Sequence, residues 1–174
     1  GDMNEPDRLA MQVAFLAAHP AVALVGSATH HVDEELRPLY TTHYPEAHAA
    51  ILARFAFRAP FSHGACLFRA AAVRTVGAYN PAYELGEDYD LFWRIAARFR
   101  CANLPDALMT RVESGASLSH ARRGAMARVR LALQWRHLQW WSPRAWLGLA
   151  RSLLLMAVPE APLLAVKRVL GTVG

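Results

Sequence analysis

Three acidic side chains stand within four residues near the middle of the chain, at Glu87, Asp88 and Asp90. A loop punctuated by glycines precedes them, and a helical pattern follows. An ionised carboxylate in such a place can serve as a general base that takes a proton from an attacking hydroxyl. The same residues are also compatible with a plain helix start, because the free N–H groups and the dipole of a first turn favour acids.

The element that must position these acids is the helix that their downstream neighbours predict. Leu91, Ile95 and Phe99 recur every four residues and form one apolar stripe. Asp90 and Arg94 lie on another face, with the acid N-terminal to the base, which is the favourable order for such a pair. We therefore expect a helix whose first turn presents the carboxylates and whose apolar side is buried.

The remaining segments predict further helices and strands on either side of this helix. Helices are expected over 4–18, 47–57 and 70–76, and strands over 21–28, 101–104 and 107–112. Residues 61–69 predict a strand or turn, and the polar residues 29–46 predict a loop. His30, His31 and Asp33 in that loop suggest metal ligands, but their spacing matches no metal motif, so a surface loop is the preferred interpretation.

The composition indicates a folded protein. Apolar residues make up 54% of the chain, which is enough for a packed core. Cys66 and Cys101 lie in apolar contexts and predict buried free thiols in a reducing compartment. No window reaches roughly 18 uncharged apolar residues, the length that a membrane-spanning helix needs.

The string VGAYNPAYELGEDYDLFWRIA, residues 76–96, resembles the C-terminal signature of family-2 glycosyltransferases. That signature is a Val-Gly-x-Tyr turn, a loop, Glu-Asp-x-Asp-Leu and an Arg. Upstream, a Pro-x-Arg-Leu, a helix ending near His-Pro and a strand ending Val-Gly occur in the family's order. The resemblance covers residues 2–119 and implies an α/β fold. It implies a partial GT-A (Rossmann-like) domain over 1–119, without the N-terminal nucleotide-binding half, followed by a helical appendage over 120–174.

The resemblance also implies an activity and roles for particular residues. The activity is transfer of a sugar from a nucleoside-diphosphate donor to a hydroxyl of a glycan or lipid-linked acceptor, in surface polysaccharide synthesis. Asp88 matches the family's catalytic base, and Glu87 completes the acid pair on the acceptor side. The resemblance implies substrate contacts for His63, Asp90 and Arg111. A lone His is often only structural, however, and Arg111 is about as suited to a salt bridge as to offsetting diphosphate charge.

A divalent metal, Mg²⁺ or Mn²⁺, is the cofactor that the resemblance implies. In the family it is held against the donor diphosphate by an Asp-rich loop, and Asp2 matches the last Asp of that loop. Gly1 stands where another carboxylate is expected. A non-catalytic, membrane-associated or scaffold protein derived from such an enzyme is therefore the alternative function.

The positive charge is concentrated at the C-terminal end. Residues 1–114 carry 10 basic and 13 acidic side chains, whereas 115–174 carry 9 basic and 1 acidic. Helices are expected over 121–141, from Ser142-Pro143 onward, and again from Pro159 to Arg168. Four tryptophans among basic residues indicate an appendage that lies on an anionic membrane surface, at the inner, cytoplasmic face. Helices packed on the domain are the competing interpretation, and no nucleic-acid motif is present.

Overall fold

The computed structural model describes residues 2–113, 123–137 and 140–157. In chain order its elements are β1 (Met3–Asn4), α1 (Arg8–Ala18), β2 (Val22–Val32), β3 (Pro38–Thr42), α2 (His48–Phe55), a 3₁₀ turn (His63–Ala65), β4 (Leu67–Phe68), α3 (Ala70–Val76), α4 (Glu87–Ala96), β5 (Arg100–Val112), α5 (Arg123–Arg136) and α6 (Pro143–Ala157). The fold is mixed α/β, as the sequence predicts, and is compatible with part of a Rossmann-like glycosyltransferase domain.

A five-stranded sheet forms the centre of the molecule. Its order is β1-β5-β2-β3, and β4 pairs with β2 beside this path. The long strands β2 and β5 run parallel, whereas the other pairs are antiparallel. Because parallel neighbours need a crossover, the chain between them carries α2, the 3₁₀ turn, α3 and α4 over the sheet. This crossover contains the acidic motif.

The core lies between the sheet and the crossover helices. Its central side chains are fully buried and come from β2, α2 and α4, at Leu24, Ile51, Phe55, Phe92 and Ile95. The predicted helix over the acidic motif is confirmed, with Leu91 and Ile95 on the buried side. Helix α3 is also confirmed with its predicted bounds.

Three sequence-based expectations were wrong in detail. The predicted loop over 29–46 contains the end of β2 and all of β3, which pair around the Asp33 turn. The two short strands expected around Pro105 are one strand, β5, whose register against β2 shifts near that residue. The first helix begins at Arg8, because Met3 and Asn4 instead form an edge strand that pairs with β5.

Helices α5 and α6 pack against each other and against the domain, as one of the two competing interpretations predicts. Leu133 is fully buried in the core, and the Gln134 side-chain amide donates a hydrogen bond of 2.6 Å to the carbonyl of Ala56. Helix α6 approaches the same carbonyl so closely that a Cβ at Gly148 would collide with it. The expected helix from Pro159 to Arg168 lies outside the described residues. Within the described part of the chain, no helix has the length and apolarity that crossing a membrane requires.

Candidate active site

The acid pair sits on the first turn of α4. Glu87 and Asp88 are half-buried, and the helix begins after Gly86, which adopts a left-handed conformation with φ of 73°. One Asp88 carboxylate oxygen accepts a hydrogen bond of 2.7 Å from the backbone N–H of Tyr89. A side chain at Gly86 would approach Cγ1 of Val129 to 2.8 Å, so α5 packs directly on this helix start. The acids are therefore held between the glycine loop and α5.

A small cavity opens between the helix start and α5. Its volume is about 70 Å³, and Asp88 is among its lining residues, whereas Glu87 is not. Arg130 and Tyr89 also line it. The space is sufficient for a hydroxyl group or a water molecule beside the Asp88 carboxylate.

His63 lies on the 3₁₀ turn and is paired with an aromatic residue of the glycine loop. Its Nε2 atom is 2.8 Å from the hydroxyl of Tyr79, and its ring contacts Phe92 edge-on at 5.9 Å. Burial raises the pKa of Tyr79, and the nearby carboxylates of Asp88 and Glu87 add to this effect. Tyr79 therefore lies within electrostatic reach of the acid pair while it holds His63.

Asp2 and Arg111 lie on the other side of the same turn. A Cβ at Gly64 would be 3.5 Å from a carboxylate oxygen of Asp2, so Asp2 borders the turn that carries His63. The Arg111 Nε atom is 3.9 Å from the Asp2 carboxylate, and both side chains are about half exposed. Helix α1 holds the 3₁₀ turn in place: the buried Gln12 side chain donates a hydrogen bond of 2.8 Å to the carbonyl of Ala65.

Asp90 is placed differently from the other acids. Its side chain is 1% exposed, and it accepts a hydrogen bond of 2.8 Å from Arg94 Nε. Arg94 in turn donates to the carbonyls of Val76 and Ala78, on both sides of Gly77. These contacts favour a structural role for Asp90, as the buried anchor of the glycine loop, and its predicted substrate contact stays untested.

His30 and His31, which the sequence placed in a loop, lie on β2 and contact residues of β3 and Glu113. His31 Nδ1 is 2.7 Å from a carboxylate oxygen of Glu113, its Nε2 is 3.1 Å from the Thr42 hydroxyl, and its ring stacks on Tyr40. His30 contacts the hydroxyl of Thr41. Among residues 2–113, 123–137 and 140–157, no group of three acids, histidines or cysteines is placed to hold a metal ion.

The thiols agree with the sequence-based expectation in part. Both cysteines are free, Cys101 is buried and Cys66 is partly buried. Burial raises the pKa of Cys101 to about 12, and burial together with the Asp88 charge raises the pKa of Cys66 well above its ordinary value. Both groups therefore stay protonated at neutral pH, which excludes them as nucleophiles there.

Two tyrosines that contact the segment carrying His63 were not identified from the sequence. Tyr79 had a signal, since it is the Tyr of the Val-Gly-x-Tyr turn, but its contact with His63 was not predictable. Tyr44 had none: its ring lies under the Arg54 guanidinium at 5.4 Å, and burial raises its pKa while a hydrogen bond with Ser62 lowers it. These contacts place an aromatic side chain beside the segment that carries His63.

Comparison with known proteins relates the chain to a glycosyltransferase. No protein-family model matches the chain. Over 128 residues it is 33% identical to the amylovoran biosynthesis glycosyltransferase AmsE of Erwinia amylovora. The alignment covers 71% of this chain and 46% of AmsE, so the chain spans about half the length of that relative.

Proposed function

From its relationship to a glycosyltransferase, we propose that the chain is the acceptor-side part of a family-2 glycosyltransferase of the GT-A type. The reaction is transfer of a sugar from a nucleoside-diphosphate donor to an acceptor hydroxyl, in the synthesis of a polysaccharide. The observation that carries this proposal is the acid pair on the first turn of α4, beside the Tyr79–His63 pair and with Asp88 lining a cavity. The Asp88 carboxylate is thereby accessible to a hydroxyl, as a base must be.

Asp88 is the general base in this proposal. As the acceptor oxygen attacks the anomeric carbon, its proton passes to the Asp88 carboxylate. The bond between the anomeric carbon and the diphosphate oxygen breaks, and the nucleoside diphosphate leaves with that electron pair. Attack opposite the leaving group inverts the anomeric centre. Glu87, one residue earlier on the same turn, supplies a second carboxylate that can accept a hydrogen bond from the acceptor.

His63 and Arg111 are the proposed donor contacts. Tyr79 holds the His63 ring in one orientation, so that its other edge can face a sugar hydroxyl. Arg111 is about half exposed and is close enough to Asp2 to interact with it, yet it retains donors for a phosphate oxygen. Asp90 supports these residues indirectly, because its pair with Arg94 fixes the loop that carries Tyr79.

The divalent metal of such enzymes does not find a complete site in the described residues. Asp2 can offer one carboxylate, but its near neighbour is the cation of Arg111, and no three-ligand group is present in the described ranges. Mg²⁺ prefers several oxygen ligands. We therefore assign Asp2 as one proposed ligand and derive no step of the reaction from the metal.

The experiment is release of nucleoside diphosphate by the complete protein that contains this chain, from a panel of nucleotide sugars, with extracted lipid-linked glycans as acceptors and Asp88→Asn as the variant. The amide keeps the shape of the carboxylate but cannot take the proton, so the rate should fall by about 10²–10⁴-fold with little change in stability. Asp106→Asn changes an exposed acid on β5 and is the matched control. Near wild-type turnover in Asp88→Asn would refute the assignment of the base.

A non-catalytic relative of such an enzyme is the second candidate function. The incomplete metal site among the described residues favours it. The same assay separates the two, because a non-catalytic protein releases no nucleoside diphosphate above background with any donor, whether or not Asp88 is present.

A further inference from the structure

Helices α5 and α6 present large apolar side chains to solvent. Four tryptophans are between 41% and 81% exposed, and two leucines of α6 are more than 60% exposed. We name this set the tryptophan surface: Trp135, Trp140, Trp141, Trp146, Leu147 and Leu154. Soluble proteins rarely expose such a group together, and where they do it commonly marks an interaction site.

Three of the four tryptophans, Trp135, Trp140 and Trp146, form one connected group. Trp140 contacts Trp135 at 5.6 Å and Trp146 at 5.4 Å between ring centroids, both nearly edge to face. The indole N–H of Trp146 donates to the carbonyl of Trp140 at 3.1 Å. The rings thus brace one another at the junction of α5 and α6, and the group is preorganised.

The domain does not cover this surface, because α5 and α6 dock through other residues. Leu133 and Gln134 of α5 are buried, and Gly148 and Ser152 of α6 are buried as well. Arg151 also donates to the carbonyl of Phe57. The helices therefore have a docked side and an exposed side, and the tryptophans lie on the exposed one.

The charge around the tryptophan surface has one sign. Residues 123–157 contain six arginines and no Asp or Glu. Four of these arginines are exposed, at Arg128, Arg136, Arg144 and Arg151. Arg151 and Arg136 also donate to the domain, to the carbonyl of Phe57 and the hydroxyl of Tyr83. A partner that complements this region is anionic at its surface and apolar just beneath it. That is the profile of an anionic bilayer, where indole rings favour the headgroup region and arginines approach lipid phosphates.

We propose that the tryptophan surface docks on an anionic lipid bilayer, with α5 and α6 lying on the membrane. Since no described helix can span a bilayer, the binding is peripheral. It goes beyond the proposed function and does not depend on it, since a non-catalytic relative would carry the same surface.

The test is co-sedimentation of the full chain with vesicles of phosphatidylglycerol, or of phosphatidylcholine alone. The protein should sediment with the first, remain largely in solution with the second, and be partly released as salt screens the arginines. The double variant Trp140→Ala/Trp141→Ala should lower the partition coefficient at least about tenfold, because it removes two exposed aromatic side chains.

The matched control is Leu9→Ala/Val13→Ala, which removes two similarly exposed apolar side chains from α1, outside the tryptophan surface. It should bind vesicles as the wild type does. Circular dichroism verifies that each variant is folded. The proposal is overturned if the folded wild type stays in the supernatant with both vesicles, or if the control variant loses as much binding. It is also overturned if the wild type forms a dimer that the tryptophan variant abolishes and that shows no lipid binding.

Discussion

The acidic motif contains an accessible carboxylate, Asp88, and a buried one, Asp90. Asp88 lines a cavity and is half-buried, whereas Asp90, two residues later, points into the protein and is 1% exposed. A helix turns about 100° per residue, so two positions that are two apart lie on nearly opposite faces. The motif thus combines an accessible carboxylate with one that holds the loop in front of it.

We predict that Asp90→Ala destabilises the protein by about 2–4 kcal/mol. Removing the carboxylate leaves Arg94 largely buried without its charged partner, and the partial exposure of Arg94 moderates the cost. Urea unfolding measures the change. Asp33→Ala breaks an ion pair of the same i,i+4 spacing at the surface and should cost less. Unchanged stability together with a raised KM for either substrate would instead support the substrate contact that the sequence predicted.

At the scale of elements, the sequence was most informative where one periodicity ran without interruption. Helix α4 was predictable because Leu91 and Ile95 repeat at helical spacing, and α3 because Gly77 ends it with φ of 87°. The strand β3 was not, since Thr41 and Thr42 look polar and their burial depends on His30 and His31 of the partner strand. Strand β5 was predicted as two strands because Pro105 interrupts it. In the structure it is one strand whose register against β2 shifts near Pro105.

The candidate site was predictable only as far as local patterns reach. The acid pair stands in one contiguous motif, and so does Tyr79. The contact of His63 with Tyr79 joins two loops that are 16 residues apart, and Asp2 meets Gly64 through the fold of the sheet. These contacts form through tertiary packing, so they could not be predicted from composition or local residue spacing.

We expect Gly148→Ala to destabilise the docking of α6. In a free helix this change is stabilising by up to about 1 kcal/mol, because alanine is the better helix former. Here the added methyl group would collide with the carbonyl of Ala56, so the sign should reverse, with a loss of about 1–3 kcal/mol. Thermal unfolding provides the measurement, with the exposed Ala150→Ser as control. A gain in stability would mean that α6 does not pack where the structure places it.

At the scale of the whole molecule, His137 links the C-terminal helices to the acid-bearing helix. Its ring stacks on Trp93 at 4.8 Å, and its Nε2 atom lies 4.0 Å from the Asp90 carboxylate. Burial lowers the pKa of His137, opposed by Asp90 and assisted by Arg136 and Arg94. The folded protein therefore takes up this proton less readily than the unfolded chain.

The consequence is a pH dependence of stability. Below about pH 6.5, the ordinary histidine pKa, the unfolded chain binds the proton at this position more readily, so the free energy of unfolding should fall as the pH falls. Urea unfolding at pH 7.5 and pH 5.5 measures the slope. His137→Gln should flatten it relative to the wild type, and His43→Gln, which removes an exposed imidazole, should not. An equal slope in the wild type and His137→Gln would contradict the assignment.

The packing of Val129 on Gly86 fixes how far the acid pair stands from the tryptophan surface. Six residues separate Val129 from Trp135 along α5, which corresponds to about 9 Å along the helix axis. Because α5 would lie on the bilayer, this spacing runs along the plane of the membrane, and the helix would carry the acid pair beside the lipid contact at a fixed lateral offset. That offset could change only if α5 bent or separated from Gly86.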